Sequence, residues 1–133
     1  MPRPPFWVGN ASPVALRRAA RAADGWFPSL IPAAEVAAGA ARLADLADTP
    51  RVIAVGATGA LGNEVASQRQ IEESIRANYG YPATGVPITG GPRQAAERLA
   101  EFHQAGADHL VMGFSDSDWR TQCDLLADAA TLL

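Results

Sequence analysis

Short runs of apolar, uncharged residues alternate with amphipathic helical patterns along the chain, and this alternation limits the possible fold more than any other feature. Strands that alternate with helices form parallel sheets with right-handed crossovers. The predicted strands are residues 6–8, 26–27, 51–55 and 109–114, and the predicted helices are residues 12–23, 32–49, 64–78, 91–106 and 118–133. The region 79–91, rich in Gly and Pro, is predicted as a loop. The order predicts an α/β protein with four parallel βα units.

The chain length limits how those units can be arranged. The 133 residues suffice for a single domain with one continuous core. A complete eight-stranded (β/α) barrel typically has about 250 residues. The sequence therefore fits either a small open α/β sheet or half of a barrel.

The composition excludes several classes of protein. The net charge is −3, and the eleven basic side chains other than histidine are arginines that form no long run, which argues against a nucleic-acid-binding surface. The single cysteine cannot form an internal disulfide, and no signal peptide or membrane-spanning segment is apparent. We therefore expect a cytoplasmic protein that does not associate with membranes. No spacing of cysteine and histidine predicts a metal site.

The last predicted helix carries a stripe of apolar side chains at the helical period. The stripe consists of Trp119, Cys123, Leu126, Ala130 and Leu133. Cys123 is then expected to be buried and inert, and Asp116 and Asp118 are expected to cap the helix. His103 lies on a helix and His109 at a strand start, so neither is predicted to be catalytic.

A glycine-rich segment follows the third predicted strand. Residues 52–62 read VIAVGATGALG, with glycines at Gly56, Gly59 and Gly62. In a dinucleotide-binding fold such glycines permit a tight turn and close approach of the pyrophosphate, and this spacing resembles that of short-chain dehydrogenases. However, about fifty residues of α/β pattern precede the segment, and no second strand ending in an acidic residue follows it. A flexible loop at a strand end is the main interpretation, and NAD(P) binding is the alternative.

A second turn with a glycine lies at the end of the first predicted strand. The strand ends at Gly9, and Ser12-Pro13 begins a helix, because Ser is a favoured N-cap and Pro a favoured first helical residue. The free N–H groups of a helix N-terminus form a local anion site, which Gly9 would let a ligand approach. A plain turn with a serine cap is the alternative interpretation.

Two longer segments resemble the luciferase-like monooxygenases, the family of flavin- and deazaflavin-dependent (β/α)-barrel oxidoreductases. The first is VGNASP at residues 8–13, followed by ADGWFP at residues 23–28. It matches the family's strand ending in small residues, then Ser-Pro, an Ala/Arg-rich helix and Gly-Asp-Gly-Trp. The second is GVPITGGPRQAAERLAEFHQAGADHLVMGF at residues 85–114, which matches a Gly-Pro helix start, Ala-Gly-Ala-Asp-His and the last barrel strand. Both segments occur in the family order and together they cover most of the chain.

The resemblance implies a cofactor site and a set of substrate-side positions. In the family, the backbone after the first of these strands holds the phosphate of FMN or of a deazaflavin, and the matching residues are Gly9, Asn10, Ala11 and Ser12. Asn10 stands where a second glycine is common, and Asn tolerates unusual backbone angles. The weaker substrate candidates are Trp26, for which a core position is the commoner role, and Tyr79 and Tyr81, in the family's variable insertion. No residue is assigned a catalytic role, because the cofactor supplies the chemistry.

The resemblance also implies that these strands are the last four of a TIM barrel. Four strands cannot close a barrel, so two edges would stay unpaired. We expect a fragment, a chain that pairs with a separate N-terminal half-barrel, or an association of two copies, with weak or no catalysis by the isolated chain. The implied function is part of a monooxygenase or oxidoreductase that acts on a small organic substrate. The alternatives are the NAD(P)-binding protein described above and a non-catalytic half-barrel subunit.

Overall fold

The elements follow one another in the predicted order, with one additional short strand. A computed structural model describes residues 1–63, 65–115 and 118–133. The strands are β1 (Trp7–Gly9), β2 (Gly25–Phe27), β3 (Val52–Leu61), β4 (Ile88–Gly90) and β5 (His109–Phe114). The helices are α1 (Pro13–Ala22), α2 (Ala33–Leu46), α3 (Gln68–Tyr79), α4 (Pro92–Gln104) and α5 (Trp119–Ala130).

Four of the strands form one parallel sheet in the order β1, β2, β3 and β5. The short strand β4 also runs parallel to β3 and pairs with its carboxyl end. Helices lie in the connections between the parallel strands, as such crossovers require. The predicted α/β class with four parallel βα units is confirmed.

Strand β3 is longer than predicted, because it continues through the glycine-rich segment. The strand was expected to end at Val55, whereas it extends to Leu61. Residues 54–59 pair with β5, and residues 59–61 pair with β4 along the other edge. The flexible loop predicted after Val55 is therefore wrong, and the loop predicted at residues 79–91 contains β4. Glycines are compatible with a strand where neighbouring groups approach closely.

The two faces of the sheet have different surroundings, because successive side chains of a strand point to opposite faces. Helices α1, α2, α4 and α5 cover one face, where Trp26 and Val55 belong to the main core. The other face, here called the inner face, carries Trp7, Phe27, Ala54, Gly56, Thr58, Ala60, His109, Val111 and Gly113. Helix α3 covers its carboxyl end, where Ile71 and Ile75 form a second apolar cluster with Ala60.

Aspartates at the amino ends of β2 and β5 join these strands to their neighbours in the same way. Asp24 accepts the Phe6 N–H at 2.9 Å and donates its own N–H to the Phe6 carbonyl at 3.0 Å. Asp108 makes the equivalent pair with Ile53, at 2.8 Å in each direction. Arg3 adds two hydrogen bonds to Asp24, at 2.6 and 2.9 Å. The Arg3 guanidinium, followed by the Phe6 N–H, lowers the pKa of the Asp24 carboxyl.

Helix α5 buries a different face from the predicted one. Its buried residues are Gln122 and Ala129, whereas Trp119 and Cys123 are exposed. The Leu61 N–H donates to Gln122 Oε1 at 2.7 Å, and Gln122 Nε2 donates to the Leu61 carbonyl at 2.8 Å. The predicted stripe is wrong because it was chosen from the spacing of apolar residues alone. That spacing does not reveal that the Gln122 amide is buried by its hydrogen bonds to Leu61 at the end of β3. Cys123 is accordingly not a core residue.

Capping residues set the starts of α3 and α5. Asp118 is the N-cap of α5, as predicted, and its Oδ1 accepts the Arg120 N–H at 3.1 Å. Ser67 and Gln70 form a capping box at the start of α3, which therefore begins later than the predicted residue 64. Glu64 and Asp116, which also belonged to these predictions, lie outside the described residues.

Candidate functional site

The turn between β1 and α1 brings the four predicted cofactor residues into one continuous backbone segment. Gly9 is the last residue of β1, and Ser12 is the N-cap of α1, with its Oγ accepting the Ala15 N–H at 3.3 Å. Asn10 has a φ of 75°, in the left-handed region that Asn adopts more readily than most residues. Its Oδ1 accepts the Ser12 N–H at 2.8 Å. The side chain of Asn10 therefore supports the turn that its backbone makes.

This turn has room and polarity suitable for an anion. A Cβ added to Gly9 would meet only the Phe27 carbonyl oxygen, at an ordinary distance of 3.6 Å. The first backbone hydrogen bond of the helix runs from the Leu16 N–H to the Ser12 carbonyl at 3.1 Å, so the Val14 N–H lies before it in the first turn. The first turn of α1 contains no acidic residue. A phosphate at this helix N-terminus would be stabilised by the N–H groups and by the helix dipole.

Trp26 contacts the same turn from the main core. Its side chain is 1% exposed, and its indole Nε1 donates to the Asn10 carbonyl at 2.8 Å. The ring packs against Gly39 of α2, where an added Cβ would lie 2.8 Å from Trp26 Cζ3. The ring therefore lies in the core, the commoner of the two roles expected for Trp26, and it supports the turn. The sequence showed the aromatic residue but not the hydrogen bond.

The glycines of the 52–62 segment do not form the turn that a dinucleotide site requires. Gly56 and Gly59 lie within β3. A Cβ on Gly56 would overlap the Ser29 side chain, and a Cβ on Gly59 would lie 2.9 Å from the Ile88 carbonyl carbon. Gly62 follows the strand with a φ of 109°. Because the chain itself occupies the space beside Gly56 and Gly59, the geometry contradicts a pyrophosphate-binding turn at these glycines.

A pocket of about 320 Å³ lies between α3 and the carboxyl ends of β3 and β5. Its lining residues are Leu30, Ala57, Thr58, Ile71, Ser74, Ile75, Asn78, Tyr79, Gly113 and Ser115. The Thr58 and Ser115 hydroxyl oxygens are 3.0 Å apart, and the Ser115 N–H donates to the Gly59 carbonyl at 2.9 Å. Sequence reasoning missed this hydroxyl pair. The signal was present in the period-two pattern of β3, which places Thr58 on the inner face beside the strand end.

The two tyrosines differ in their relation to this pocket. Tyr79 lines it at the end of α3, whereas Tyr81 is not among its lining residues. Their ring centroids are 6.2 Å apart. Burial, followed by the nearby Tyr79, raises the pKa of the Tyr81 phenol. In the sheet, β2 and β3 separate this side of the molecule from β1, so the tyrosines do not join the Gly9–Ser12 turn.

Neither a metal centre nor a membrane span emerges from the described parts of the chain. Residues 1–63, 65–115 and 118–133 contain no group of three or more His, Cys, Asp or Glu side chains placed to bind a metal ion. No helix formed by these residues has the length and apolar character needed to cross a bilayer.

His109 lies on the inner face at the amino end of β5, where its ring stacks on Trp7 with centroids 5.9 Å apart.

Two F420-dependent enzymes are among the solved structures with a similar fold. An F420-dependent secondary alcohol dehydrogenase in complex with an F420–acetone adduct has a TM-score of 0.72 and 12% sequence identity, covering 96% of this chain and 48% of that one. The coenzyme F420-dependent tetrahydromethanopterin reductase from Methanopyrus kandleri has a TM-score of 0.67 and 15% identity, covering 92% of this chain and 48% of the reductase. No protein-family model and no curated protein matches the sequence.

The chain thus spans about half the length of the two solved enzymes. At identities of 12% and 15% the likeness concerns the fold. It agrees with the family resemblance of the segments at residues 8–28 and 85–114. The chain therefore has the fold of about half of each of these two F420-dependent enzymes.

Proposed function

We propose that this chain is part of a deazaflavin-dependent oxidoreductase and that it holds the phosphate of the cofactor. The observation that carries the proposal is the Gly9–Ser12 turn, which stands at the carboxyl end of a strand in a fold shared with two F420-dependent enzymes. In (β/α) barrels, ligands bind at the carboxyl ends of the strands. When bound, a deazaflavin exchanges a hydride with a small organic substrate.

Gly9, Asn10, Val14 and Trp26 have distinct roles in this proposal. Gly9 lets the phosphate approach the main chain, since no side chain covers it, and the Val14 N–H at the start of α1 would donate to a phosphate oxygen. The Asn10 side chain supports the turn, because its Oδ1 accepts the Ser12 N–H. Trp26 would act as a positioning residue, because it holds the Asn10 carbonyl from the core.

A titration of purified chain by isothermal calorimetry tests the proposal, with F420, FMN and NADPH as separate ligands. We expect F420 to bind the wild type and the Gly9→Val variant to lose most of that binding, because the valine side chain would occupy the phosphate position. The fold should tolerate Gly9→Val, since an added Cβ makes only an ordinary contact.

Gly91→Val is the matched control, because Gly91 also precedes a helix and its Cβ position is open. Loss of F420 binding in Gly91→Val but not in Gly9→Val would contradict the proposed site. Tight binding of FMN without F420 would redirect the proposal to flavin chemistry, including oxygen activation. Binding of NADPH alone would contradict the proposal and restore the dehydrogenase hypothesis.

We further propose that additional βα units complete the barrel along β1 and β5. Among the described strands, β1 pairs with β2 alone and β5 with β3 alone. Large apolar side chains lie at these positions, with Trp7 40% and Val111 50% exposed. Either a separate N-terminal half-barrel or a second copy would cover them. Light scattering coupled to size-exclusion chromatography distinguishes a self-associated chain from a monomer, and a monomer that binds no other half-barrel would contradict this proposal.

A further inference from the structure

Some strand glycines of this chain are needed because a neighbouring group fills the space beside them, whereas others have open space there. Gly113 is of the open kind, and it lines the pocket at α3. Glycine weakens a strand interior unless a neighbour needs the space, and it often marks the close approach of a ligand. Gly25 and Gly59 face such neighbours: added Cβ atoms would lie 2.6 Å from Trp7 Cδ1 and 2.9 Å from the Ile88 carbonyl carbon. Gly113 does not, because its Cβ would meet only the Ala57 carbonyl oxygen, at 3.7 Å.

The surroundings of Gly113 supply a hydrogen-bonding group and apolar walls. Gly113 pairs in register with Thr58, whose hydroxyl lies 3.0 Å from that of Ser115. When one hydroxyl donates to the other, the second keeps a hydrogen and both keep lone pairs, so the pair can donate to and accept from one further oxygen. Leu30 and the buried side chains of Ile71 and Ile75 are apolar lining groups.

The lining also indicates the charge of a ligand. None of the described lining residues is charged; the polar ones are hydroxyls, a phenol and an amide. An ionised ligand would therefore lose part of its water shell against the apolar walls without gaining an opposite charge, which is unfavourable. A neutral molecule with an apolar body and one alcohol or carbonyl oxygen fits this lining best.

We propose that this pocket is a substrate subsite for small neutral alcohols or carbonyl compounds, in which the Thr58–Ser115 hydroxyl pair binds the substrate oxygen over the space left by Gly113. The substrate role rests on the proposed function, whereas the binding itself does not. The pocket and the Gly9–Ser12 turn stand at different strands of one sheet edge. Three strand spacings, roughly 14 Å, separate β1 from β5, so the two sites do not overlap.

Backbone NMR titration of the chain tests the proposal, with cyclohexanol and cyclohexanone as neutral probes. Cyclohexylammonium and cyclohexanecarboxylate serve as charged probes of similar size. We expect the neutral probes to shift the amide signals of Thr58, Gly113 and Ser115 and the charged probes to leave them in place. Gly113→Val should reduce the affinity roughly tenfold or more by filling the pocket, and Thr58→Val should reduce it roughly tenfold by removing one hydroxyl.

Thr131→Val is the control for Thr58→Val, because Thr131 is exposed near the chain end, and it should retain wild-type binding. Thr58→Val is nearly isosteric and keeps the test valid if Gly113→Val does not fold. The proposal is overturned if the neutral probes shift no pocket signal, if charged probes bind equally well, or if both variants bind like the wild type. An F420 titration of the same samples is independent: neutral-probe binding without F420 binding supports the pocket and contradicts the proposed function.

Discussion

The two glycine-containing segments of this chain differ in what occupies the space beside the glycine. In the 52–62 segment, Gly56 and Gly59 lie in a strand, and the side chain of Ser29 and the backbone of Ile88 fill that space. In the Gly9–Ser12 turn, the space beside Gly9 is open and a helix N-terminus follows. The spacing of the first segment resembles a cofactor motif, yet its Gly56 and Gly59 leave no room for a ligand, whereas Gly9 of the second does. Local packing therefore decides which glycines are available to a ligand.

The largest effect should come from removing the space that β4 needs beside β3. Gly59→Ala places a methyl group against the backbone of Ile88, which cannot move without displacing the strand. We expect the free energy of unfolding to fall by about 3 kcal/mol, at the upper end of overpacking costs. Urea denaturation followed by circular dichroism measures this change.

Gly113→Ala is the matched control, because it also adds a methyl group to a strand glycine of the same sheet. Its Cβ would make only an ordinary contact, so we expect a stability equal to the wild type or higher by about 0.5 kcal/mol. Equal losses in the two variants would show that the contrast between packed and open glycines is mistaken.

A second large effect should follow from removing the amide that binds the end of the glycine-rich strand. Gln122→Leu keeps the helix and the approximate volume but leaves the Leu61 N–H and carbonyl without their buried partner. We expect a loss of about 2 kcal/mol, since unsatisfied buried polar groups are costly. Gln104→Leu, at an exposed position on α4, is the control. An unchanged stability in Gln122→Leu would mean that the strand end does not depend on this amide.

The order of the elements could be predicted from the sequence because it depends on local patterns. The apolar run at residues 6–8 and the Ser12-Pro13 helix start are such signals, and they located β1 and α1 closely. The length of β3 could not be predicted in this way. Glycines at 56 and 59 are typical of a turn by local propensity, and only the long-range pairing with β4 and β5 makes them part of a strand.

The candidate site was predictable to a similar extent. The turn that would hold a phosphate is local in sequence, so its residues were identified together. The Thr58–Ser115 pair joins residues 57 positions apart, and the Trp26–Asn10 hydrogen bond crosses from the core to the turn. Such contacts depend on strand register and on which face a side chain occupies. Strand β2 has only three residues, which is too few for the alternation of side chains to show which face of the sheet Trp26 occupies.

A smaller effect should distinguish the backbone of the Gly9–Ser12 turn from its side chains. Asn10→Val forces a β-branched residue into a φ of 75° and also removes the acceptor of the Ser12 N–H. We expect a loss of about 1–2 kcal/mol of stability, together with weaker F420 binding. Asn10→Gly should keep the stability and the free energy of F420 binding within about 0.5 kcal/mol of the wild type. Glycine adopts this conformation freely, and this gain offsets the loss of the side-chain hydrogen bond. Loss of F420 binding in Asn10→Gly would assign the phosphate contact to the Asn10 side chain instead.

The smallest effect concerns the amino end of β1, the strand that leads into the turn. The pKa of Asp24 is lowered chiefly by Arg3 and then by the Phe6 N–H. The stabilising contribution of Asp24 is therefore complete above the usual aspartate pKa of about 3.9 and is lost as the pH falls through the lower pKa of the folded state. Thermal unfolding between pH 6 and roughly pH 2 should show this loss in the wild type, and Asp24→Asn should reduce it. Asp45→Asn, at an exposed position on α2, should retain it. An identical pH dependence of the wild type and Asp24→Asn would show that the carboxylate does not hold β1.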